Sequence, residues 1–200
     1  MKKDAGEEVD YYGKLKDKIF AGIMKNLSGD ERVLDIGCGG CGLVEYLAGS
    51  ENIYVVGLDI DGEKFKDTAR KIPREIKTKI RCVKGDAENL NNFKNGSFSA
   101  VTSLYSLHEI AHPLSALKEC NRILKERGKI VVVDFLENTI AEKLYSEKYF
   151  SPEGIKTLMA DAGFTVVSQK LFSTEGPAIT TGYKNRRKCA GGIKRIAFRR

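Results

Sequence analysis

VLDIGCGGCGL, residues 33–43, is the stretch on which the fold turns. Val33, Leu34 and Ile36 make RVLDIG (32–37) a short buried strand that breaks into glycines, and a helix follows around Leu43–Ala48. Gly37, Gly39 and Gly42 stand in G-x-G-x-x-G spacing. Glycines placed this way let the backbone turn tightly and approach a ligand, while the helix N-terminus offers free N–H groups to an anion. Asp59 closes the next apolar run, IYVVGLD (53–59), where an acid accepts hydrogen bonds from both hydroxyls of a ribose. By spacing alone this is an NAD site.

Outward from that turn the chain keeps alternating. DYYGKLKDKIFAGIMKNL (10–27) spaces Leu15, Ile19, Ile23 and Leu27 four apart, with Phe20 and Met24 beside them, as an amphipathic helix does. DGEKFKDTARKI (61–72), ended by Pro73, reads as another helix. KIRCVKGD (79–86), FSAVTSL (98–104) and GKIVVVDF (128–135) read as strands. PLSALKECNRILKERG (113–128) reads as a helix with proline in its first turn and glycine past its end. SPEGIKTLMADAGF (151–164) is another, with Ser151 as N-cap and Pro152 at the first helical position. TVVSQKLF and AITTGYK form a final strand pair around Gly176 and Pro177. Strands alternating with helices imply an α/β fold, a parallel sheet covered on both faces, with ligands at the carboxyl ends of the strands.

Asp35 argues against NAD. Two residues before the first glycine, it places a carboxylate at the mouth of the turn, where a dinucleotide would set its pyrophosphate. A ligand with a cationic amino group gains there instead. S-adenosylmethionine (SAM) carries an ammonium and a sulfonium, with a ribose for Asp59.

Asp-x-Gly-x-Gly at 35–39, the acid at Asp59, GDAENL at 85–90 and FSAVTSLYSLHEI at 98–110 follow in an order that resembles the class I SAM-dependent methyltransferases. The likeness is to the small ubiquinone/menaquinone-biosynthesis-like, or "methyltransferase 11", group. LKECNRILKERGKIVVVDF and FSPEGIKTLMADAGF continue it, so it covers residues 10–184. The resemblance implies a Rossmann-like seven-stranded sheet, mostly parallel with the last strand antiparallel, and helices on both faces. It also implies one domain over 1–184, with a lid helix at 10–27 and a basic tail at 185–200.

It implies site roles as well. Asp35 would hold the methionine ammonium, directly or through water, and backbone at Gly37, Cys38 and Gly39 would line the methionyl tail. Asp59 would bind the ribose hydroxyls, with Ile60 against the adenine. Asp86 would accept from the adenine amino group, and the Ala87 N–H would reach a ring nitrogen. Ser103, Leu104 and Tyr105 would face the methionyl group through their backbone, and Tyr11 or Tyr12 would fold over the cofactor. Cys41 is a departure, standing where the family often has a third glycine.

YSLHEIAHP (105–113) holds both histidines of the chain in a His-Glu-x-x-His pattern, the zinc-protease signature. That signature needs His108 and His112 on one continuous helix. Pro113 forbids it, because its ring clashes with the Glu109 carbonyl and pushes His112 out of helical geometry. Beside a transferable methyl, His108 becomes the candidate general base, Glu109 the second, and Tyr105 a wall of the acceptor pocket. No metal is expected, although Cys38, Cys41 and His108 at one sheet edge would be a zinc-like set.

Composition closes off other classes. With 200 residues, 42% hydrophobic and 30% charged, the chain has material for one sizeable core. No apolar run is long enough for a signal peptide or a membrane span, and five cysteines, an odd number, suggest reduced thiols in the cytoplasm. The net charge of +7 resides in Lys184–Arg200, which holds eight Lys or Arg and no acid. The expected activity is methyl transfer by in-line displacement to a small-molecule acceptor. An RNA or acidic protein acceptor engaged by the tail is the alternative. An NAD oxidoreductase and a non-catalytic binding module are the other classes, and the intact acids and glycines weigh against both.

Overall fold

The computed structural model describes residues 5–27, 30–65, 71–172 and 176–185, with the side chains of residues 5–14 and 30 outside the description. Among the described residues, seven strands form one sheet: β1 (Asp30–Ile36), β2 (Asn52–Asp59), β3 (Ile80–Lys84), β4 (Phe98–Leu104), β5 (Leu124–Asp134), β6 (Phe164–Leu171) and β7 (Ala178–Lys184). Their order is β3-β2-β1-β4-β5-β7-β6, with β7 antiparallel to both neighbours and the other pairings parallel. The expected sheet is the observed one.

Period-two alternation sorts the strand side chains onto two apolar faces. Leu34, Ile36, Val56, Val101, Ile130 and Val132 point to one layer, where α3 (Pro113–Ile123) and α5 (Pro152–Asp161) contribute Leu117, Cys120, Ile155 and Met159. Val33, Val55, Ala100, Val131 and Val133 point to the other, against Ile19 and Ile23 of α1 (Ala5–Met24) and Val44 and Leu47 of α2 (Gly42–Ala48). A short helix, α4 (Ile140–Tyr145), lies between β5 and α5. Among the described residues no helix is long and apolar enough to cross a membrane.

Several boundaries differ from the sequence reading. α1 is already helical at Ala5, the first described residue, and ends at Met24, where the sequence reading runs from 10 to 27. The helix read over 113–128 stops at Ile123, because Leu124 pairs with Phe98 and β5 starts there. The buried Lys184 ammonium donates to the Leu124 carbonyl at 2.7 Å, which holds that stretch extended. Gly128, read as a helix stop, instead follows Arg127 at φ 62°, where the register shifts from Phe98↔Leu124 to Ala100↔Lys129. The Ser151 N-cap is present, its hydroxyl accepting from the Gly154 N–H at 2.9 Å. The helix read over 61–72 lies partly outside the described residues, and the basic tail beyond Asn185 lies wholly outside them.

Candidate active site

β1 is flanked by β2 on one side and β4 on the other, and its chain leaves the sheet where the strand order reverses. A crevice at the carboxyl ends follows from that topology. The glycine turn is held there from both sides. Gly37 and Cys38 donate their N–H groups to the Leu58 carbonyl at 2.8 and 3.1 Å, and the Ser106 hydroxyl donates to the Ile36 carbonyl at 2.9 Å. Gly37 adopts φ 68°, and a Cβ on it would lie 2.3 Å from the Cβ of Ser106. Only glycine fits. Gly37→Ala is expected to destabilise the protein by about 2–4 kcal/mol, read as a lowered melting temperature.

Beyond the turn a cavity of about 560 Å³ opens, within the range of small-molecule sites. The ends of four adjacent strands line it: Gly37, Cys38 and Gly39 after β1, Asp59 and Ile60 after β2, Asp86 and Ala87 after β3, and Leu104, Tyr105 and Ser106 after β4. A Cβ added at Gly39 or Gly40 would meet nothing within 4 Å, so this backbone is open to a ligand. Asp59 is 6% exposed and organises the cradle, its carboxylate accepting from Gly39 N–H at 2.8 Å and Asp61 N–H at 2.9 Å. Asp86 accepts from the Glu88 N–H at 2.8 Å.

Asp35 is not at the mouth of the turn but beneath it. Its carboxylate is 2% exposed, accepts from the Thr102 hydroxyl at 2.7 Å, and is absent from the cavity lining. Burial pushes its pKa up to about 7; the Thr102 hydrogen bond opposes the shift and the charge of Asp59 adds to it. Ser103 is likewise buried, its hydroxyl 2.8 Å from that of Ser106, and only Leu104 and Tyr105 of the expected trio reach the cavity. Tyr11 and Tyr12 belong to α1, and their side chains lie outside the description.

The two histidines part company, as Pro113 requires. His108 sits in a short 3-10 turn, Leu107–Glu109, and His112 precedes α3 with non-helical backbone. His112 is an exposed partner of Glu88, at 2.8 Å through Nδ1. His108 is enclosed. Its Nδ1 lies 2.7 Å from Oδ1 of the fully buried Asp134, and its Nε2 lies 3.0 Å from Oε2 of Glu147. Burial lowers the imidazole pKa, but the hydrogen bonds and charges of Asp134 and Glu147 outweigh it and the net shift is upward. Around it stands an aromatic cluster: Tyr149 at 4.6 Å from the imidazole, Phe135 at 5.5 Å from Tyr149, and Tyr105 stacked on Phe135 at 4.6 Å and 8°. Tyr105 holds φ 53°, a strained backbone that turns its ring toward Phe135.

Two groupings bear on metal binding. His108, Glu109 and Glu147 offer ligand atoms within 4.8 Å of one another, a set suited to a divalent cation. The combination of Cys38, Cys41 and His108 weighed from sequence does not form, because His108 faces Asp134 and Glu147 while Cys41 faces Cys82.

Sequence reading missed Thr102, Ser106, Asp134, Glu147 and Tyr149. Thr102 and Asp134 had a signal: one is a polar residue inside an apolar strand, the other closes VVVD as Asp59 closes IYVVGLD. Glu147 had none, since its contact with His108 spans 39 residues.

Residues 34–132 match the methyltransferase domain family called Methyltransf_11. The ubiquinone biosynthesis O-methyltransferase of Aliivibrio fischeri is 32% identical over 110 residues, which are 54% of this chain and 46% of that protein. The chain thus spans about half the length of the curated relatives it matches. Among solved structures, the [4+2]-cyclase SpnF superposes with a TM-score of 0.75 at 19% identity, covering 84% of this chain and 81% of its own. A SAM-dependent methyltransferase from Methanosarcina mazei superposes at 0.68 and 22% identity, covering 82% and 97%. Residues 34–132 therefore belong to the methyltransferase domain family, on the class I Rossmann-like fold.

Proposed function

We propose that the chain is a SAM-dependent methyltransferase that methylates a hydroxyl group of a small, planar acceptor. The observation that carries the acceptor chemistry is the pairing of His108 with buried Asp134, at 2.7 Å, in an aromatic cluster whose Tyr105 lines the cofactor cavity. The relatives named as O-methyltransferases agree with it.

The cavity fits the cofactor on its own features. The glycine backbone is open on the cavity side, Asp59 and Asp86 offer acceptors at the ends of β2 and β3, and exposed Ile60 supplies an apolar face for the adenine. Asp59 keeps lone pairs beyond its two backbone bonds for the ribose hydroxyls. Asp35 acts from beneath the turn, its charge favouring the methionyl ammonium through the thin glycine backbone. When bound, SAM supplies a methyl group on a cationic sulfur. The chain's residues then align the acceptor and exclude water.

His108 moves the proton. Asp134 holds Nδ1–H, which leaves Nε2 of the neutral imidazole as the acceptor for the hydroxyl proton. In the arrangement shown Nε2–H of the protonated imidazole donates to Glu147; once the ring is neutral that bond is released and a substrate hydroxyl takes its place there. The Tyr105 ring, which lines the cavity and is backed by buried Phe135 and Tyr149, offers flat apolar surface to a planar acceptor.

Calorimetric titration with S-adenosylhomocysteine, with NADH in parallel, tests the cofactor. Micromolar binding of the first alone is expected, and NADH binding alone overturns the reading. Radiolabelled methyl transfer to a panel of phenols, amines and thiols tests the acceptor. Transfer to phenols is expected, and exclusive transfer to amines or thiols removes the hydroxyl assignment while leaving the cofactor.

A further inference from the structure

Three thiols from distant parts of the chain converge on one point. Cys38 and Cys41 lie in the glycine turn and Cys82 in β3, with Cys41 Sγ 3.7 Å from Cys38 Sγ and 2.8 Å from Cys82 Sγ. Gly57 of β2, which pairs with Cys82, makes the room: a Cβ there would come within 2.9 Å of Cys38 Sγ. Cys41 is fixed by its backbone as well as by its side chain. It adopts φ 61° ahead of α2, donates its N–H to the Cys38 carbonyl at 2.8 Å, and accepts from Glu45 N–H at 3.0 Å. A disulfide holds its sulfurs at about 2.05 Å, so joining Cys41 to Cys82 needs a movement of only about 0.8 Å.

We propose that Cys41 and Cys82 close an intramolecular disulfide that ties the glycine turn to the edge strand β3, while Cys38 stays a free thiol. The oxidant is a small disulfide. Cys82, half-buried where Cys41 is fully buried, exchanges first. Its sulfur attacks one sulfur of the reagent, breaking the S–S bond and releasing one small thiol, with the Cys82 proton ending on that thiol. The Cys41 sulfur then attacks the Cys82 sulfur of the mixed disulfide and expels the second small thiol, which takes the Cys41 proton. The protein loses two hydrogens and two electrons, and the reagent gains both.

The reduced pair is slow to react near neutral pH. Hydrogen bonding to Cys38 pushes the Cys41 thiol up to about 12, and hydrogen bonding to Cys41 raises Cys82 further, so both stay protonated. Oxidation therefore proceeds best in mildly alkaline buffer. Once formed, the bond closes a loop across the 41-residue separation and restrains the unfolded chain.

The test uses the full chain carrying Cys189→Ser, which removes the thiol of the basic tail. It is incubated with cystamine, blocked with an alkylating reagent, digested with trypsin and mapped by mass spectrometry, and a second portion is melted. The expected product joins residues 33–64 to residues 82–84, two hydrogens lighter than the reduced peptides, with fragmentation placing the link at Cys41 and alkylation at Cys38. The melting temperature is expected to rise by roughly 5–10 °C, to fall back on reduction, and not to rise when Cys82→Ser is added. A link between Cys38 and Cys41, a link from Cys38 to Cys82, or four free thiols after incubation overturns the proposal. So does a soft metal ion retained by the reduced protein on native mass spectrometry. The peptide map of the parent decides the case even where Cys82→Ser folds poorly.

Discussion

Asp35→Asn is expected to raise the melting temperature at pH 8 while weakening the binding of S-adenosylhomocysteine. The carboxyl is 2% exposed, and burial first, then the charge of Asp59, hold its pKa at about 7 against the Thr102 hydrogen bond. A group whose folded pKa is raised contributes its full stability below its unfolded value of 3.8 and loses it as the pH rises through 7. At pH 8 the ionised, buried Asp35 therefore costs the empty protein about 4 kcal/mol. Asparagine keeps an oxygen for the Thr102 hydroxyl and carries no charge. The variant should recover about 2–4 kcal/mol, a rise of roughly 5–10 °C in melting temperature at pH 8 and little change at pH 4.

In the proposed complex the same charge is what the methionyl ammonium recognises. Below pH 7 the ligand must displace a proton from Asp35 before gaining its charge, so affinity for S-adenosylhomocysteine should fall about tenfold from pH 8 to pH 6. In Asp35→Asn that dependence should vanish and affinity at pH 8 should be lower throughout. Titration calorimetry at both pH values, beside thermal melts, reads the two effects together. A variant that is stabilised yet binds with unchanged affinity would make Asp35 a structural burden rather than the partner of the ammonium.

The fold was legible because its signals are local. Val33, Leu34 and Ile36 before the glycines, Asp59 at the end of IYVVGLD and Pro152 after Ser151 each act within a few residues. The strands FSAVTSL and AITTGYK matched residue for residue for the same reason. Leu124–Gly128 was misread because its extended form is imposed from outside, by pairing with Phe98 and by the Lys184 ammonium, against a local pattern that suits a helix. The cavity lining at the ends of β1, β2 and β3 shared the legibility of the glycine turn. The proposed base was half legible: His108 could be named, but Asp134 and Glu147 approach it from 26 and 39 residues away. Asp35 was found and misplaced, since nothing in a sequence says whether a carboxylate tops a turn or lies below it. Fold likeness alone would not have chosen the chemistry either, for the [4+2]-cyclase SpnF superposes as well as a methyltransferase does.

His108→Gln should lower kcat by about 100- to 1,000-fold and leave the affinity for S-adenosylhomocysteine unchanged, because in the proposed mechanism the imidazole handles the acceptor proton and not the cofactor. The pH profile separates a base from a merely structural imidazole. The base works only when neutral, so kcat/KM should climb with pH and level off above the His108 pKa. Asp134 and Glu147 hold that pKa above its ordinary 6.5 against the effect of burial, which places the acid limb of the parent enzyme above 6.5. Glu147→Gln removes one of the two charges from an exposed position and should move the limb to lower pH with little effect on folding. Asp134→Asn should move it further, but at a cost in stability. The Asp134 carboxylate also accepts the N–H groups of His108 and Phe135, at 3.1 and 2.9 Å, and an amide cannot accept all three bonds. Profiles of the three proteins on one phenolic acceptor would thus step downward in the order parent, Glu147→Gln, Asp134→Asn. Coincident acid limbs would show that the ionisation governing turnover belongs to another group, and His108 would then be an anchor for the 147–149 segment rather than the base.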